Sequence, residues 1–300
     1  MTLHGWIILD KPLGITSAGG VARIKRLMRA GGISKPKVGH GGTLDPQATG
    51  VLPIALGEAT KLTGRMLNGD KAYDFTIAFG TATATEDVEG EVVAKSDVLP
   101  THDAIEALLP LFTGAIRQRP PAYSALKVDG QRAYKRARAG EDVELAEREV
   151  TIRSLQIIDA TQGRDPLECV TLSARVTKGT YIRSLARDIA QALGTVGHVA
   201  MLRRTACGPF ALENAISVDI LEKRAMERGL GSMVLPMTAG LDDIPALTVT
   251  PEEAARLKHG QHLSGRPEPD GSYIAMDGTA PVAMISLISG ESRTDRGFNL

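Results

Sequence analysis

Alternating apolar and polar side chains predict several half-buried strands. The alternating apolar positions are Tyr73, Phe75, Ile77 and Phe79 in one stretch and Val170, Leu172, Ala174 and Val176 in another. A period of two residues places such side chains on one face of a strand. Residues 5–10 form a continuous apolar run that predicts a buried strand, and residues 150–158 are predicted as a further strand.

Apolar residues at helical spacing predict helices between the strands. The predicted helices cover residues 17–30, 104–112, 182–193 and 251–259. Thr250 before Pro251 and two glutamates is typical of a helix start, because the hydroxyl caps and the acidic groups suit the helix dipole. Short strands and turns are predicted from there to Leu300.

Composition indicates a globular protein with ample core. Of 300 residues, 43% are hydrophobic and 23% are charged, which fits one large domain, alone or with a small one. Cys169 and Cys207 are too few for a disulfide framework or a zinc site, and reduced thiols are expected. No signal peptide and no membrane-spanning run are predicted, so we expect a cytoplasmic protein.

Charge is unevenly distributed along a chain whose formal net charge is zero. Residues 1–71 carry ten Lys or Arg against four Asp or Glu, residues 115–138 seven against one, and residues 84–106 one against seven. Such blocks either form a basic face that binds a phosphate backbone or belong to ordinary solvated surface. In residues 116–138, Tyr123 and Tyr134 lie among the cations, an arrangement that suits looped RNA. Pro120 and Pro121 predict an extended segment there.

The candidate chemistry lies at residues 39–50, which read GHGGTLDPQATG. The glycines permit conformations and close approaches that side chains forbid, and Pro46 favours an extended Asp45. Asp45 either caps a backbone N–H in a Gly-rich turn or acts as a working carboxylate. The stretch is not a P-loop, because Thr43 and Leu44 follow Gly42 where a P-loop has Lys and Ser or Thr.

This motif resembles the catalytic motif of the TruB family, the synthases that make pseudouridine at position 55 of tRNA. Further blocks at residues 71–90, 116–138 and 178–205 resemble family motifs in family order. Two positions depart from the family pattern: Gly41, where Ala or Thr is usual, and Ala84, where the pattern has Asp.

The resemblance implies a role for each matching residue. Asp45 is the expected nucleophile, Tyr73 the acid/base residue, and Arg183 the partner that keeps Asp45 ionised and oriented. Substrate-binding roles are implied for Lys11, His40, Gly42, Thr43, Tyr181 and Leu202. Among these, His40 would fill the space left by a flipped base and Leu202 would pack on that base. The isomerisation involves no redox change or energy input, so neither a cofactor nor a metal is expected.

The resemblance also implies an α+β fold. We expect a mostly antiparallel sheet flanked by helices in residues 1–240, with RNA-binding insertions near 116–138, and a small PUA-like barrel in residues 241–300. The expected partner is the T-arm of tRNA, with no protein partner and a monomeric state. Two other functions stay open: an RNA-binding or RNA-folding protein without catalysis, and a metal-dependent hydrolase using Asp45 and His40.

Overall fold

The computed structural model describes residues 3–33, 36–128, 130–141, 143, 145–160 and 165–300. The strands are β1 Gly5–Lys11, β2 Val38–His40, β3 Ala48–Leu56, β4 Lys71–Phe79, β5 Thr81–Thr83, β6 Val92–Lys95, β7 Gly114–Gln118, β8 Lys127–Val128, β9 Gln131–Arg132, β10 Arg148–Asp159, β11 Cys169–Val176, β12 Gly197–Cys207, β13 Phe210–Ala211, β14 Ala246–Thr248, β15 Gly271–Asp277, β16 Ala280–Ile288 and β17 Glu291–Gly297. The α-helices are α1 Ser17–Ala30, α2 Thr63–Asn68, α3 His102–Leu108, α4 Ala133–Arg138, α5 Ile182–Ala192, α6 Val218–Met226 and α7 Pro251–Lys258. Short 3-10 helices cover Gly57–Leu62, Leu109–Phe112, Leu212–Asn214, Leu230–Met233 and Met237–Gly240.

A nine-stranded mixed sheet organises the larger part of the chain. Its main path runs β1-β3-β12-β4-β11-β10-β7, with β2 on β3 and β13 on β12. Only the β3–β12 pair is parallel among the described pairs of this sheet. The predicted mostly antiparallel α+β architecture is therefore confirmed.

The predicted burial pattern explains why these strands form. Phe75 and Ile77 on β4 and Leu172 on β11 are fully buried, and they share a core with Leu185 and Ile189 of α5. Apolar side chains on one strand face thus meet the apolar stripe of a helix, which removes both surfaces from water.

Two local predictions require correction. Residues 104–112 were predicted as one helix, but α3 ends at Leu108 and a 3-10 helix continues to Phe112, since Pro110 has no N–H to continue the α-helical ladder. Residues 116–138 were predicted to be one extended segment, but only the parts in β7, β8 and β9 are strands. Around Gly130, which has φ +81°, the chain reverses in the β8–β9 hairpin and then enters α4. Asp129 of this segment lies outside the described residues.

The C-terminal strands form a separate four-stranded sheet in the order β14-β15-β16-β17. Helix α7 begins as predicted, with the Thr250 hydroxyl accepting from the Glu253 N–H in a capping box. In residues 246–300, all of which the structure describes, the sheet is open, because its two edge strands do not pair. The expected closed barrel is not found. Phe298 and Ile274 instead join a core cluster with Trp6 of β1.

The described helices are short, and the longest, α1, has 14 residues. None of them is long and apolar enough to cross a membrane.

Candidate active site

A cleft of about 360 Å³ opens where the loop before β3 meets β4, β12 and the start of α5. Most of the site residues predicted from the sequence line it: Gly42, Thr43, Asp45, Tyr73, Tyr181, Arg183 and Leu202. Lys11 and His40 are not part of its lining. Residues from four distant parts of the sequence thus converge on one cavity because the sheet places their strands side by side.

The ion pair expected between Asp45 and Arg183 is present. Arg183 Nη2 lies 2.9 Å from Asp45 Oδ2. The arginine side chain is 7% exposed and the aspartate side chain is 43% exposed, so a nearly buried cation holds a carboxylate that faces the cleft. Charge-assisted contacts of this kind fix the orientation of a carboxylate as well as its position.

Arg183 is itself fixed by the acidic segment and by the segment after β7. Its Nη1 donates to the Thr85 carbonyl at 2.7 Å and lies 3.5 Å from Asp87 Oδ2. Its Nη2 also donates to the Tyr123 carbonyl at 3.0 Å. One part of the acidic block at residues 84–106 therefore acts as internal counter-charge rather than as solvated surface.

Tyr73 lies on β4 opposite Arg204 of β12. Burial raises the pKa of the Tyr73 phenol, and the charge of Arg204 and its polar contact with the phenol work against that rise. Leu202, two residues before Arg204 on β12, supplies an apolar side chain to the same cleft. The arrangement offers a flat base an apolar contact and a polar phenol.

Lys11 stabilises the Asp45 loop from behind the cleft. Its Nζ donates to the carbonyls of Ile15 at 2.8 Å, Pro12 at 3.0 Å and Pro46 at 3.3 Å. Burial lowers the pKa of Lys11 to about 8, and the charge of Asp45 opposes that change. The lysine is fully buried, so its contacts are with protein groups.

His40 ends β2 and pairs with Ile54 of β3. Its Nδ1 is buried and finds no hydrogen-bond partner among the described residues. Burial, followed by the charge of Arg204, lowers the pKa of His40. The next residue, Gly41, explains its own departure from the family pattern. A Cβ there would lie 2.6 Å from Met66 Cβ, so this chain has no room for alanine at position 41.

Tyr181 is held at both ends of its backbone. Its N–H donates to Gln118 Oε1 at 2.8 Å, and Gln118 Nε2 donates to the Tyr181 carbonyl at 3.1 Å. The Arg148 guanidinium lies 4.9 Å from the centre of the Tyr181 ring, in a cation–π contact. The ring thus forms a fixed flat surface beside a cation at the cleft.

Sequence reasoning missed several cleft residues, above all Arg204 together with Lys71 and Arg148. A signal for Arg204 was present, because it lies two positions after Leu202 and a strand places such residues on one face. Among the described residues that line the cleft, these cations outnumber the single carboxylate, Asp45. The cleft therefore has a positive local charge although the whole chain is neutral.

The metal-dependent hydrolase would require Asp45 and His40 in one ligand set. Among the described residues, the group of three or more potential ligands that lies together is His102, Asp103 and Glu106 at α3, and it contains neither residue. The geometry therefore does not favour that alternative.

The fold and the cleft define an enzyme with an arginine-held carboxylate in a cationic substrate site. Residues 25–182 match the N-terminal domain of the TruB family of pseudouridylate synthases. Residues 183–242 match the C-terminal domain of tRNA pseudouridylate synthase B. The chain therefore belongs to the TruB family of pseudouridylate synthases.

Similar proteins agree with this assignment over nearly the full length. The chain is 57% identical to the tRNA pseudouridine synthase B of Novosphingobium aromaticivorans, over 99% of this chain and 98% of that one. It is 52% identical to the protein of the same name from Zymomonas mobilis, over 99% and 96%. A chain in the crystal structure of a Cbf5–Nop10–Gar1 complex superposes with a TM-score of 0.69 and 28% identity, covering 94% of this chain and 78% of that one.

Proposed function

We propose that this chain converts uridine 55 in the T-loop of tRNA to pseudouridine, with Asp45 as the nucleophile. The observation that carries the proposal is the ion pair of Asp45 with buried Arg183, at a cationic cleft and within the TruB motif. The relatives named tRNA pseudouridine synthase B support tRNA as the substrate.

The proposed reaction breaks the bond between ribose C1′ and uracil N1, turns the base, and joins C1′ to C5. Asp45 attacks either the base or the sugar, and it leaves again when the new bond forms. Tyr73 takes the proton from C5, and N1, which has lost its bond to C1′, gains a proton, so that one proton is lost and one is added. Atoms and electrons balance within the nucleoside, so the isomerisation needs no co-substrate.

The target base has to leave its stack to enter the cleft, which costs a few kcal/mol. Leu202 and Tyr73 offset part of this cost by packing on the base. His40, Gly42, Thr43 and Tyr181 bind the rearranged loop in the proposal, with His40 in the space that the base leaves. Lys11 acts indirectly, through its bond to the Pro46 carbonyl next to Asp45.

The proposal extends to the organisation of the chain. We assign catalysis to residues 1–240 and an additional RNA contact to residues 241–300. The basic segment at 116–138 contacts the T-arm phosphates. The protein works in the cytoplasm as a monomer. Its binding to the T-arm also assists tRNA folding, because basic and base-flipping residues suffice for that activity.

Pseudouridine mapping on an unmodified tRNA transcript tests the function. The chain and its Asp45→Asn variant are each incubated with the transcript, and tRNA binding is measured alongside. We expect a new pseudouridine in the T-loop with the unaltered chain and none with the variant. The variant should still bind tRNA about as tightly as the unaltered chain. Product from the variant would remove Asp45 from the mechanism. Tight binding without product from the unaltered chain would favour the RNA-folding role alone.

A further inference from the structure

Arg204 is buried, and each of its three guanidinium nitrogens donates to a backbone carbonyl. It is 1% exposed. Its Nε donates to the Val51 carbonyl at 2.7 Å, its Nη2 to Gly42 at 3.1 Å, and its Nη1 to Thr43 at 3.2 Å. These acceptors lie on both sides of Asp45 in the sequence. One side chain therefore ties together the two ends of the loop that carries the nucleophile.

The loop packs closely around this arginine. Gly42 has φ +149°, and a Cβ there would lie 3.3 Å from Arg204 Nη1. Gly50 has φ +97°, and a Cβ there would lie 2.2 Å from the Arg204 carbonyl oxygen. The strand register explains the approach, because β12 pairs in parallel with β3, placing Arg204 beside Gly50. Gly42 thus makes room for the side chain of Arg204, and Gly50 for its backbone.

Among the described residues, Arg204 has no carboxylate partner for its charge. In the described part of the chain, Arg183, Arg187 and Arg203 all form ion pairs, whereas Arg204 meets carbonyl oxygens. Hydrogen bonds satisfy its donors, but neutral acceptors leave its positive charge acting on its surroundings. A buried cation without a paired anion is costly to hold. In a catalytic site such a cation stabilises negative charge that develops nearby.

The Tyr73 phenol is a group on which the charge of Arg204 acts. It is the cross-strand neighbour of Arg204, on the strand that pairs with the other side of β12. The charged or titratable groups that act on its phenol are Arg204, Cys207 and Asp45. Arg204 favours the phenolate, whereas Cys207, Asp45 and burial oppose it. Burial is the main cause of the lowered pKa of Lys11 and of His40, and the charge of Arg204 contributes to both.

We propose that Arg204 is a positioning residue for the reaction, with two linked tasks. It fixes the Asp45 loop through three carbonyl bonds, and its uncompensated charge stabilises the Tyr73 phenolate that takes the C5 proton. This inference rests on the proposed function for its second task. It links the loop of the nucleophile and the base of the reaction through one buried side chain.

The first test measures Tyr73 directly and needs no RNA. The absorbance of tyrosinate is followed against pH, and the same titration of Tyr73→Phe is subtracted to isolate Tyr73 from the other tyrosines. Arg204→Gln should raise the pKa of Tyr73 by about one unit or more, a factor of about ten in its ionisation constant. Arg204→Lys should keep the pKa near its original value, because the charge is retained.

The second test measures the reaction by single-turnover release of tritium from C5 of uridine in a tRNA transcript, at saturating enzyme. Arg204→Gln should lose about 100-fold, since a misplaced nucleophile costs about that much. The rising limb of its pH–rate profile should move to higher pH together with the Tyr73 titration. In Arg204→Lys the rising limb should stay at its original pH, but the rate should fall. A lysine ammonium keeps the charge but cannot reproduce the planar set of donors of a guanidinium.

Arg203→Gln is the matched control. Arg203 is next in the sequence and loses an ion pair with Asp10, but it holds neither the Gly42–Thr43 turn nor Tyr73. An unchanged Tyr73 pKa in Arg204→Gln, or equal rate losses in both variants with parallel pH profiles, would overturn the inference. If Arg204→Gln does not fold, Arg204→Lys decides: an unaltered rate would overturn the inference. No pseudouridine from the unaltered chain would defeat the proposed function, whereas the Tyr73 titration would still report on Arg204.

Discussion

Replacing Arg183 by glutamine isolates the contribution of the cation that holds the nucleophile. The substitution removes the charge facing Asp45 and Asp87, and it weakens the bonds to the Thr85 and Tyr123 carbonyls. Two separate effects follow, one on the reaction rate and one on stability, because one carboxylate faces the cleft and the other is buried.

The rate effect comes from the contact at 2.9 Å between Arg183 and Asp45. A hydrogen bond to a charged group contributes about 1.5–3 kcal/mol. Asp45 is 43% exposed, so solvent screens part of the interaction and the lower half of that range applies. Since each 1.4 kcal/mol is about tenfold, we expect a loss of about 10- to 40-fold in single-turnover rate.

The stability effect comes from Asp87, whose side chain is 8% exposed. Removing one partner of a buried ion pair costs about 3–5 kcal/mol. Asp87 keeps hydrogen bonds from the Thr85 hydroxyl and the Glu89 N–H. We therefore expect about 3 kcal/mol, the lower end of that range.

Arg187→Gln serves as the control, since Arg187 lies one turn further along α5. It pairs with Glu86 and Asp188 and makes no contact with Asp45. We expect a comparable loss of stability with a rate within about twofold of the original. The assay is single-turnover tritium release at saturating tRNA, at a temperature where denaturant curves show both variants folded. Equal rate losses in the two variants, or an unchanged rate in Arg183→Gln, would refute the assigned role of Arg183.

Three further expectations concern packing, pH and salt. Gly41→Ala should destabilise the fold by about 1–3 kcal/mol in denaturant unfolding, because its Cβ would meet Met66 at 2.6 Å, whereas Gly64→Ala, with open space around it, should not destabilise. Equal effects of the two would contradict this packing argument. The pKa of Lys11 is about 8 in the folded chain, against 10.5 for an ordinary lysine. Between pH 8 and pH 10.5, Lys11 therefore holds a proton in the unfolded chain that it has lost in the folded chain. The free energy of unfolding of the unaltered chain, compared with that of Lys11→Met, should therefore rise from pH 8 to pH 10.5. A difference between the two that does not change with pH in urea unfolding would argue against it. Affinity for tRNA should fall steeply with salt, as filter binding can measure, and a salt-independent affinity would exclude phosphate-dominated contact.

The sequence predicted much of the larger sheet because its signals are local. Phe75 and Ile77 alternate with polar residues, and each is fully buried where the alternation predicted it. Thr250 caps α7 as its position before Pro251 indicated. Two elements depart from the prediction, each at a single residue. Pro110 ends an α-helix inside a run of suitable apolar spacing, and Gly130 reverses a segment that the prolines suggested would be extended.

The candidate site likewise has residues that the sequence predicted and residues that only the structure identified. Motif resemblance picked out Asp45, Tyr73 and Arg183, and the structure brings these three to one cleft. It also named Lys11 and His40, which lie outside the cleft lining. Resemblance included Arg204 in the block at residues 178–205 but gave it no role, and its bond to the Val51 carbonyl joins residues 153 positions apart. The open C-terminal sheet was likewise hidden, because strand signals do not state which edges pair.

By itself, the sequence determined which residues are apolar on one face, where helices are capped, and which motifs supply chemically able side chains. Only the tertiary structure decided how β12 pairs with β3 on one side and β4 on the other. That choice sets Arg204 between the loop of Asp45 and the phenol of Tyr73. Periodicity and capping act between neighbours in the chain, whereas strand register depends on the packing of all strands together.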